Sequence, residues 1–254
     1  MADAVVARYK AVVEYDGTDY AGFQRQIPEA GPTVQGELES ALAAINGGVA
    51  VTAHGAGRTD TGVHAAGQVI AFDLQWAHGT DALTRALNAN LPRTIAVKSA
   101  AECAAGFHPR FSAKGRRYRY AILNAPARSP LRERFAWRVW PLLDARAMAE
   151  ASQYLMGRKD FGAFGSSPEP GGHTVREVRE ARWDADDDNA MLNFHIEADA
   201  FLRRMVRSIV GTLKWVGAGE IAPDAFGDIV ASADRSRAAA PAPPNGLCLV
   251  EVLY

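Results

Sequence analysis

The sequence predicts an α+β fold made of two consecutive halves, residues 1–105 and residues 106–254. Three observations favour this fold. Patterns typical of strands and of helices alternate along the chain. Its 254 residues suffice for one large domain or two small ones, and its 48% hydrophobic content is ample for packed cores. The alternation does not give the order in which the strands pair.

The first half is predicted to contain four strands and two helices. Thr33 is a favourable N-cap for the first helix, and Gly47 and Gly48 end it. Apolar residues recur between them at helical spacing: Val34, Leu38, Ala41, Leu42 and Ile45. A second helix is predicted over 81–88. Strands are predicted over 9–15, 49–54, 68–73 and 95–99.

The second half repeats the alternation. Asp144 is predicted to cap a helix that runs to residue 156, and an acidic turn at 186–189 is predicted to pair two strands. Two further helices are predicted over 201–216 and 223–231. The buried face of the first of these is predicted to carry Leu202, Met205, Val206, Ile209, Val210 and Leu213. Strands are predicted over 117–123, 135–140, 175–183, 191–197 and 247–253, and a Pro/Ala-rich extended linker over 238–244.

The charges of the chain are nearly balanced but unevenly distributed. A net charge of -1 argues against a general polyanion binder. Nine basic residues face one acid, Glu133, over 103–138, whereas seven acids face one base, Arg182, over 180–199. This asymmetry predicts a local positive surface. The alternative is a set of solvated strand faces with internal ion pairs.

Composition also predicts the compartment. No apolar run approaches the length of a membrane span, and the first residues lack the basic start and apolar core of a signal peptide. We therefore expect a cytoplasmic protein with no membrane association. The two cysteines, Cys103 and Cys248, provide neither a disulfide framework nor a four-ligand zinc site, and we interpret both as buried small apolar residues.

The most informative segment is Gly55–Ala65, with the sequence GAGRTDTGVHA. It places one carboxylate, Asp60, among an arginine, two threonines and three glycines. Glycine permits tight turns and the close approach of a ligand. Because strands are predicted on both sides, Asp60 is expected on a tight loop leaving a sheet, a common position for catalytic groups. The alternative is a hairpin with Asp60 as a turn former.

The string GRTDTGVHA resembles the catalytic loop of the tRNA pseudouridine synthase A family. Five further segments resemble family motifs in the same order: DGTDYAGFQRQ from Asp16, FHPRFSA from Phe107, KGRRYRY from Lys114, FLRRMVRSIVG from Phe201 and APPNGLCL from Ala242. The resemblance covers nearly the whole chain, and several motifs in order are a specific signal. Two departures are Phe23, where the family often has Trp, and a long, weakly basic loop at 166–172.

The resemblance implies two RRM-like (ferredoxin-like) halves whose antiparallel sheets lie side by side, with a central RNA-binding cleft. It implies an isomerase that converts uridine to pseudouridine at positions 38, 39 and 40 in the anticodon arm of tRNA. It also implies a homodimer. The reaction adds no atom and changes no oxidation state, so we expect no cofactor.

The resemblance assigns the catalytic carboxylate to Asp60. Two roles remain open for it, nucleophile and base that removes a ribose proton. The family motif makes Arg207 the cation that keeps this carboxylate ionised. Spacing alone leaves Arg203 and Arg204 as alternatives, and a solvated helix arginine is the structural alternative for Arg207.

The same resemblance assigns substrate-binding roles to three other residues. Tyr118 is expected under the target uracil, and Leu247 on the other side of the base. Arg58 is expected to aid base flipping. The structural alternative for Tyr118 and Leu247 is an ordinary place in the core of a strand.

A basic segment with interleaved aromatic rings suits RNA, because rings stack on unpaired bases while cations meet phosphates. The RNA-binding residues are predicted to be Arg25, Phe107, His108, Arg110, Lys114, Arg116 and Arg117. A metal site at His54, Asp60 and His64 is not expected, because their spacing is not helical and the loop is Gly-rich. The rival functions are an RNA-binding protein without catalysis and an enzyme with another RNA substrate.

Overall fold

The computed structural model describes residues 6–167, 171–186 and 190–254. Contacts divide the chain into two compact units. The first, here called the N-unit, comprises the chain up to Lys114 together with Leu249–Tyr254. The second, the C-unit, comprises Gly115–Cys248. The division into domains at 1–105 and 106–254 stays a prediction.

The described residues form an α+β structure, in agreement with the predicted class. The strands are β1 (Val6–Tyr15), β2 (His54–Gly55), β3 (His64–Gln75), β4 (Ile95–Glu102), β5 (Gly115–Asn124), β6 (Trp137–Val139), β7 (Gly157–Asp160), β8 (Val175–Ala185), β9 (Met191–Ala198) and β10 (Leu247–Leu253). The α-helices are α1 (Val34–Ile45), α2 (Thr80–Asn90), α3 (Ala145–Ser152), α4 (Met205–Gly217) and α5 (Pro223–Ser232). Short 3₁₀ helices cover Pro28–Ala30, Gln153–Leu155, Arg235–Arg237 and Pro244–Gly246. Within the described ranges, no helix combines the length and apolar character needed to cross a bilayer.

The sheet of the N-unit has β1 at its centre. Strand β1 pairs antiparallel with β4 on one side and with β3 on the other, and β2 pairs antiparallel with β3. Strand β10 also neighbours β3. The pairs Tyr9–Phe72 and Ala11–Ile70 place buried side chains on one face. That face and the buried sides of α1 and α2 supply the core of the N-unit.

Helix α1 begins and ends where the sequence predicts. The Thr33 hydroxyl accepts a hydrogen bond from the Gly36 N–H at 3.2 Å. Gly47 and Gly48, with φ of 64° and 86°, take the left-handed conformation that ends a helix.

The predicted strand over 49–54 is wrong except at His54. Side chains of α1 bond to the backbone there instead of a neighbouring strand. The Ala53 N–H donates to the Glu39 carboxylate at 3.2 Å, and the Gln35 amide donates to the Ala53 carbonyl at 3.1 Å.

The sheet of the C-unit has the order β5-β9-β8-β7 with antiparallel pairing, and β6 pairs parallel with β5. The pair Tyr120–Phe194 is fully buried. Helix α3 contacts α4 and α5. The Asp144 carboxylate accepts a hydrogen bond from the Ala147 N–H at 2.9 Å, which confirms the predicted cap.

Helix α4 begins at Met205, so the predicted start at Phe201 is wrong. The Arg203 N–H donates to the Ser166 carbonyl at 3.1 Å in an isolated β-bridge, and Arg204 has φ of 62°. These two features hold the chain outside the helix. Leu202 is still buried, but it is not helical.

Other boundaries also differ from the predictions. Strand β6 covers only Trp137–Val139, and α3 ends at Ser152 before a 3₁₀ turn. Strand β7, Gly157–Asp160, was not predicted because its sequence GRKD lacks an apolar alternation. The predicted acidic turn lies mostly outside the described residues, since 187–189 are not among them.

Candidate active site

Asp60 is half-buried on the loop that joins β2 to β3. Its carbonyl accepts the Val63 N–H at 3.1 Å. The preceding Thr59 is buried, and its hydroxyl is 2.8 Å from the Tyr15 hydroxyl. The Thr59 carbonyl accepts the Phe23 N–H at 3.2 Å. These contacts fix the backbone on both sides of the carboxylate.

Two glycines of the first motif let the 16–22 turn approach this loop closely. A Cβ at Gly17 would lie 2.0 Å from the carbonyl oxygen of Val63. Gly22 has φ of 106°, and a Cβ there would lie 2.7 Å from the carbonyl oxygen of Thr59. The first motif and the Asp60 loop therefore pack backbone against backbone.

His64 belongs to this packing. It is buried, and its Nδ1 accepts the Gly17 N–H at 3.0 Å. The same Nδ1 lies 3.2 Å from the Asp16 carboxylate. His54 is exposed, and its ring centroid lies 5.6 Å from that of His108. Across the residues that the structure describes, no three His, Cys, Asp or Glu side chains are grouped as for a metal ion.

Arg58 is exposed two residues before Asp60. The loop is anchored just before it, because the buried Gln68 amide donates to the Gly57 carbonyl at 2.9 Å. The Ala56 N–H donates to the Val69 carbonyl at 2.8 Å. The structure thus presents the Arg58 side chain from a fixed stretch of backbone.

The predicted RNA-binding segment of the N-unit packs over basic and aromatic side chains. The Phe107 carbonyl accepts the Arg8 Nε–H at 2.7 Å. The Lys10 ammonium lies 5.8 Å from the centre of the Phe107 ring, and the Tyr254 ring lies 5.0 Å from it. Lys114 is exposed, and its N–H donates to a carbonyl of β10 at 2.8 Å.

A pair of rings stands out in this segment. The rings of His108 and Phe111 are 4.3 Å apart, and the Arg110 guanidinium lies 5.5 Å from the Phe111 ring centre. Phe111 is 74% exposed. Sequence reasoning missed Phe111 as a functional residue, although it stands inside the motif FHPRFSA.

The pKa of His108 is lowered. Burial is the largest cause, followed by the positive charges of His54, Arg8 and Arg110. The neutral ring suits its contacts, because its Nδ1 accepts the Arg110 N–H at 3.1 Å.

Arg25 carries a countercharge. Its guanidinium lies 3.0 Å from the Glu39 carboxylate, and its side chain is 69% exposed. The Arg25 N–H donates to the Gln35 side chain at 2.9 Å.

In the C-unit, Tyr118 and Tyr120 occupy different environments. Tyr118 is half-buried on β5, and its ring meets the Phe201 ring edge-on at 4.9 Å. Tyr120 is fully buried and donates its hydroxyl to the Pro243 carbonyl at 2.7 Å. Burial raises the pKa of the Tyr120 phenol. Tyr120 is therefore a core residue of β5, whereas Tyr118 is only partly covered.

Arg207 is held by the segment between α5 and β10, and Leu247 is buried at the start of β10. The Arg207 Nε–H donates to the Ala242 carbonyl at 2.7 Å, and the Ala242 N–H donates back to the Arg207 carbonyl at 2.9 Å. Leu247, the first residue of β10, is only 6% exposed. Arg203 and Arg204 are exposed and precede α4.

The two remaining predicted arginines lie on β5 and contact the region of β9. The Arg116 guanidinium donates to the Asp199 carbonyl at 3.1 Å. The Arg117 guanidinium is 2.7 Å from the Glu197 carboxylate.

The two cysteines, Cys103 and Cys248, are half-buried, so the interpretation of both as buried residues is wrong.

Comparison with known proteins decides the family. Residues 11–112 and 151–254 match the family model described as tRNA pseudouridine synthase. The chain belongs to the tRNA pseudouridine synthase family. As a member, it is an enzyme of the isomerase class.

Relatives in the tRNA pseudouridine synthase family align with nearly the whole chain. A tRNA pseudouridine synthase A of Myxococcus xanthus is 42% identical over 247 residues, which are 97% of this chain and 92% of the relative. One of Acidiphilium cryptum is 44% identical over 249 residues, which are 97% of this chain and 96% of the relative. One of Rhodospirillum rubrum is 43% identical over 250 residues, covering 98% and 88%.

The matched segments of the tRNA pseudouridine synthase family model contain several of the residues described above. The first segment includes Arg58 and Asp60, and the second includes Arg207 and Leu247. Tyr118 falls between the two segments, in a part of the chain that the near full-length relatives cover.

Proposed function

We propose that this protein converts uridine to pseudouridine in tRNA, at positions 38, 39 and 40 of the anticodon arm, with Asp60 as the catalytic carboxylate. One observation carries the proposal. Asp60 is a half-buried carboxylate on a loop whose backbone is fixed by the Thr59 contacts and by the close approach of Gly17 and Gly22, in a chain of this family.

The reaction needs a positioned carboxylate and little else. The bond from C1′ of the ribose to N1 of uracil breaks, the base turns, and a bond from C1′ to C5 forms. The hydrogen on C5 leaves as a proton and N1 takes up a proton, so no atom is added or lost overall. In this reaction Asp60 acts either as the nucleophile at C1′ or as the base that removes a proton from C2′.

The other site residues are proposed to hold the target nucleotide. The half-buried ring of Tyr118 stacks on the uracil, and Leu247 packs against its other face. Arg207 supplies the positive charge that keeps the Asp60 carboxylate ionised. The Arg207 Nε–H donates to the Ala242 carbonyl at 2.7 Å, which holds the guanidinium in a defined position within the C-unit. Arg58 helps to expel the base from its stack, a step that costs a few kcal/mol.

We propose that the RNA backbone contacts basic and aromatic residues of each unit. These are Arg25, Phe107, His108, Arg110 and Lys114 of the N-unit, and Arg116 and Arg117 of the C-unit. The exposed Phe111 ring joins this set, because it lies near both the His108 ring and the Arg110 guanidinium. An exposed ring beside a cation suits an unpaired base next to its phosphate.

The strand orders support RRM-like halves. The order β4-β1-β3-β2 in the N-unit and the order β5-β9-β8 in the C-unit agree with the antiparallel order of ferredoxin-like domains. We further propose a homodimer in the cytoplasm, where tRNA is modified. Sedimentation equilibrium tests the dimer, and a mass of one chain at micromolar concentration would exclude it.

The experiment that tests the function measures tritium released from tRNA that carries 5-tritiated uridine. Formation of the C1′–C5 bond must expel that hydrogen, so we expect release by the wild type. Asp60→Ala and Asp60→Asn should release none while keeping most of their tRNA affinity. Asp81→Asn, an exposed carboxylate in the first turn of α2, is the matched control and should behave as the wild type.

Two results would contradict the proposal. Release by either Asp60 variant at the wild-type rate would remove Asp60 as the catalyst. No release from any tRNA, with binding intact, would favour the RNA-binding protein without catalysis.

A further inference from the structure

An open cavity in the C-unit lies outside the residues assigned above. Its volume is about 800 Å³. Described residues on both sides of 168–170 in the loop after β7, the residues that precede α4 and the segment that follows α5 line it. The lining residues used below are Asp160, Ser166, Arg203, Arg204, Ser208 and Arg235.

The wall of this cavity is built by close backbone contacts. A Cβ at Gly165 would lie 2.6 Å from the carbonyl oxygen of Arg203, and one at Gly162 would lie 2.9 Å from that of Ala233. The Arg203 N–H donates to the Ser166 carbonyl at 3.1 Å. The glycines therefore let the loop lie directly against the chain that carries the arginines.

The lining is strongly positive. Among the lining residues that the structure describes, three are arginines, Arg203, Arg204 and Arg235, and one is an acid, Asp160. That acid is already engaged, since its Oδ1 accepts hydrogen bonds from the Thr174 hydroxyl at 2.5 Å and from a backbone N–H at 2.9 Å. The described part of the lining thus carries more positive than negative charge.

Arg235 is held in place by three acceptors. Its guanidinium donates to the Ala239 carbonyl at 3.1 Å, and to the Ala163 carbonyl and the Ser208 hydroxyl at 3.4 Å each. A guanidinium has five N–H donors in a planar fork that matches the oxygens of a phosphate. Fixing the fork lowers the entropy lost when an anion binds.

We propose that this cavity binds a phosphate group of the tRNA backbone, through Arg203, Arg204 and Arg235. The inference rests on the proposed function for the identity of the RNA. A phosphodiester is the ligand that matches several arginines around a polar, solvent-open cavity. The site adds an RNA contact in the C-unit that none of the sequence motifs assigned.

The test compares the double variant Arg203→Gln/Arg204→Gln with the control Arg146→Gln, an exposed arginine on α3 outside the cavity. The dissociation constant for tRNA is measured at several salt concentrations. We expect the double variant to bind about five- to tenfold more weakly at low salt. The slope of log affinity against log salt should flatten by about 0.7–0.9 for each phosphate that the variant no longer neutralises. The control should match the wild type.

Thermal unfolding of each variant establishes that it folds, and the single variant Arg204→Gln replaces the double variant if that fails. Unchanged affinity and slope, in a wild type that forms pseudouridine, would overturn the inference and leave the proposed function standing. A wild type that forms no pseudouridine refutes the proposed function, and a weaker, flatter double variant would still support the RNA contact. A slower rate at saturating tRNA with unchanged affinity would overturn the inference and assign the arginines to the chemical step.

A second arm uses inorganic phosphate as the probe, titrated by calorimetry. Binding to the wild type that the double variant loses, together with unchanged tRNA affinity, would mean that the cavity holds a small anion. That result would overturn the assignment to the RNA backbone.

Discussion

His108 is a residue whose surroundings favour its neutral form. Burial and the positive groups of His54, Arg8 and Arg110 all favour its neutral form. A ring that is neutral at physiological pH accepts the backbone N–H of Arg110 and stacks near the exposed Phe111. Within the segment FHPRFSA, a neutral histidine therefore contacts both Arg110 and the exposed Phe111 ring. A count of the charges in the segment does not predict these contacts.

The pH dependence of stability tests this account of His108. Because its pKa is lower in the folded protein than in the unfolded chain, the unfolded chain takes up the proton first as pH falls. His108 therefore stabilises the fold fully above the ordinary value of 6.5. This stability declines as pH falls from that value through the lower folded pKa.

The measurement is the urea midpoint of wild type and His108→Gln between pH 5 and pH 8. We expect the difference between the two proteins to change with pH, with the wild type losing more stability on acidification. Parallel pH profiles would show that His108 does not titrate in this way.

At the scale of elements, the turn at 16–22 and the Asp60 loop act as one packed unit. Both approach closely enough that a single added carbon at Gly17 meets the Val63 carbonyl. The shape of the loop around Asp60 thus depends on a turn about forty residues earlier in the chain.

Gly17→Ala and Gly57→Ala test this packing as a matched pair. A Cβ at Gly17 would lie 2.0 Å from the carbonyl oxygen of Val63, whereas one at Gly57 meets nothing within 4 Å. We expect Gly17→Ala to lower the free energy of unfolding by about 1–3 kcal/mol, because the backbone must shift. Gly57→Ala should be near neutral. Urea unfolding measures both, and equal effects would contradict the account.

Sequence predicted the elements well where local chemistry decides them. Strand β10 has the predicted bounds, and α1 begins after its Thr33 cap. The predictions from sequence were wrong where a group distant in the chain determines the local structure. The 49–53 segment bonds to side chains of α1, and Arg203 pairs with Ser166, which delays the start of α4. Neither partner is visible in a local pattern.

The candidate site shows the same division. The motif around Asp60 identified the loop. The contacts that fix the backbone of this loop come from Tyr15 and from Gly17 and Gly22, which lie much earlier in the chain. Phe111 was missed because its exposure, which distinguishes it from a core phenylalanine, is a property of the folded chain.

For the whole molecule, a net charge of -1 conceals separate regions of opposite sign. In the acidic run over 180–199, Arg182 lies 2.6 Å from the Glu180 carboxylate and 2.9 Å from that of Asp184. Glu197 pairs with Arg117. These pairs offset part of the negative charge of the run. The internal ion pairs that the sequence offered as an alternative to a charged surface are therefore present. Arg117 belongs to the basic run over 103–138, so its pair with Glu197 also offsets one positive charge there. The expected positive field therefore comes from the other basic residues of that run.

The association rate with tRNA reports this field. We expect the rate to fall steeply as ionic strength rises, although the protein as a whole is slightly acidic. The double variant Arg110→Gln/Lys114→Gln should associate several-fold more slowly at low salt. Arg182→Gln, a base whose charge is offset by two carboxylates, is the control. Stopped-flow fluorescence measures the rates, and equal slowing by both changes would contradict a localised field.

The membership of Leu249–Tyr254 in the N-unit has a consequence for synthesis on the ribosome. The other residues of the N-unit precede Gly115, and 134 residues of the C-unit are made before Leu249 appears. At roughly 5–20 residues per second, this delay is about 7–27 s. During that time the part of β3 that β10 will cover is an open edge, the kind of strand edge that recruits other chains. The sheet of the nascent N-unit therefore remains incomplete until β10 has been translated.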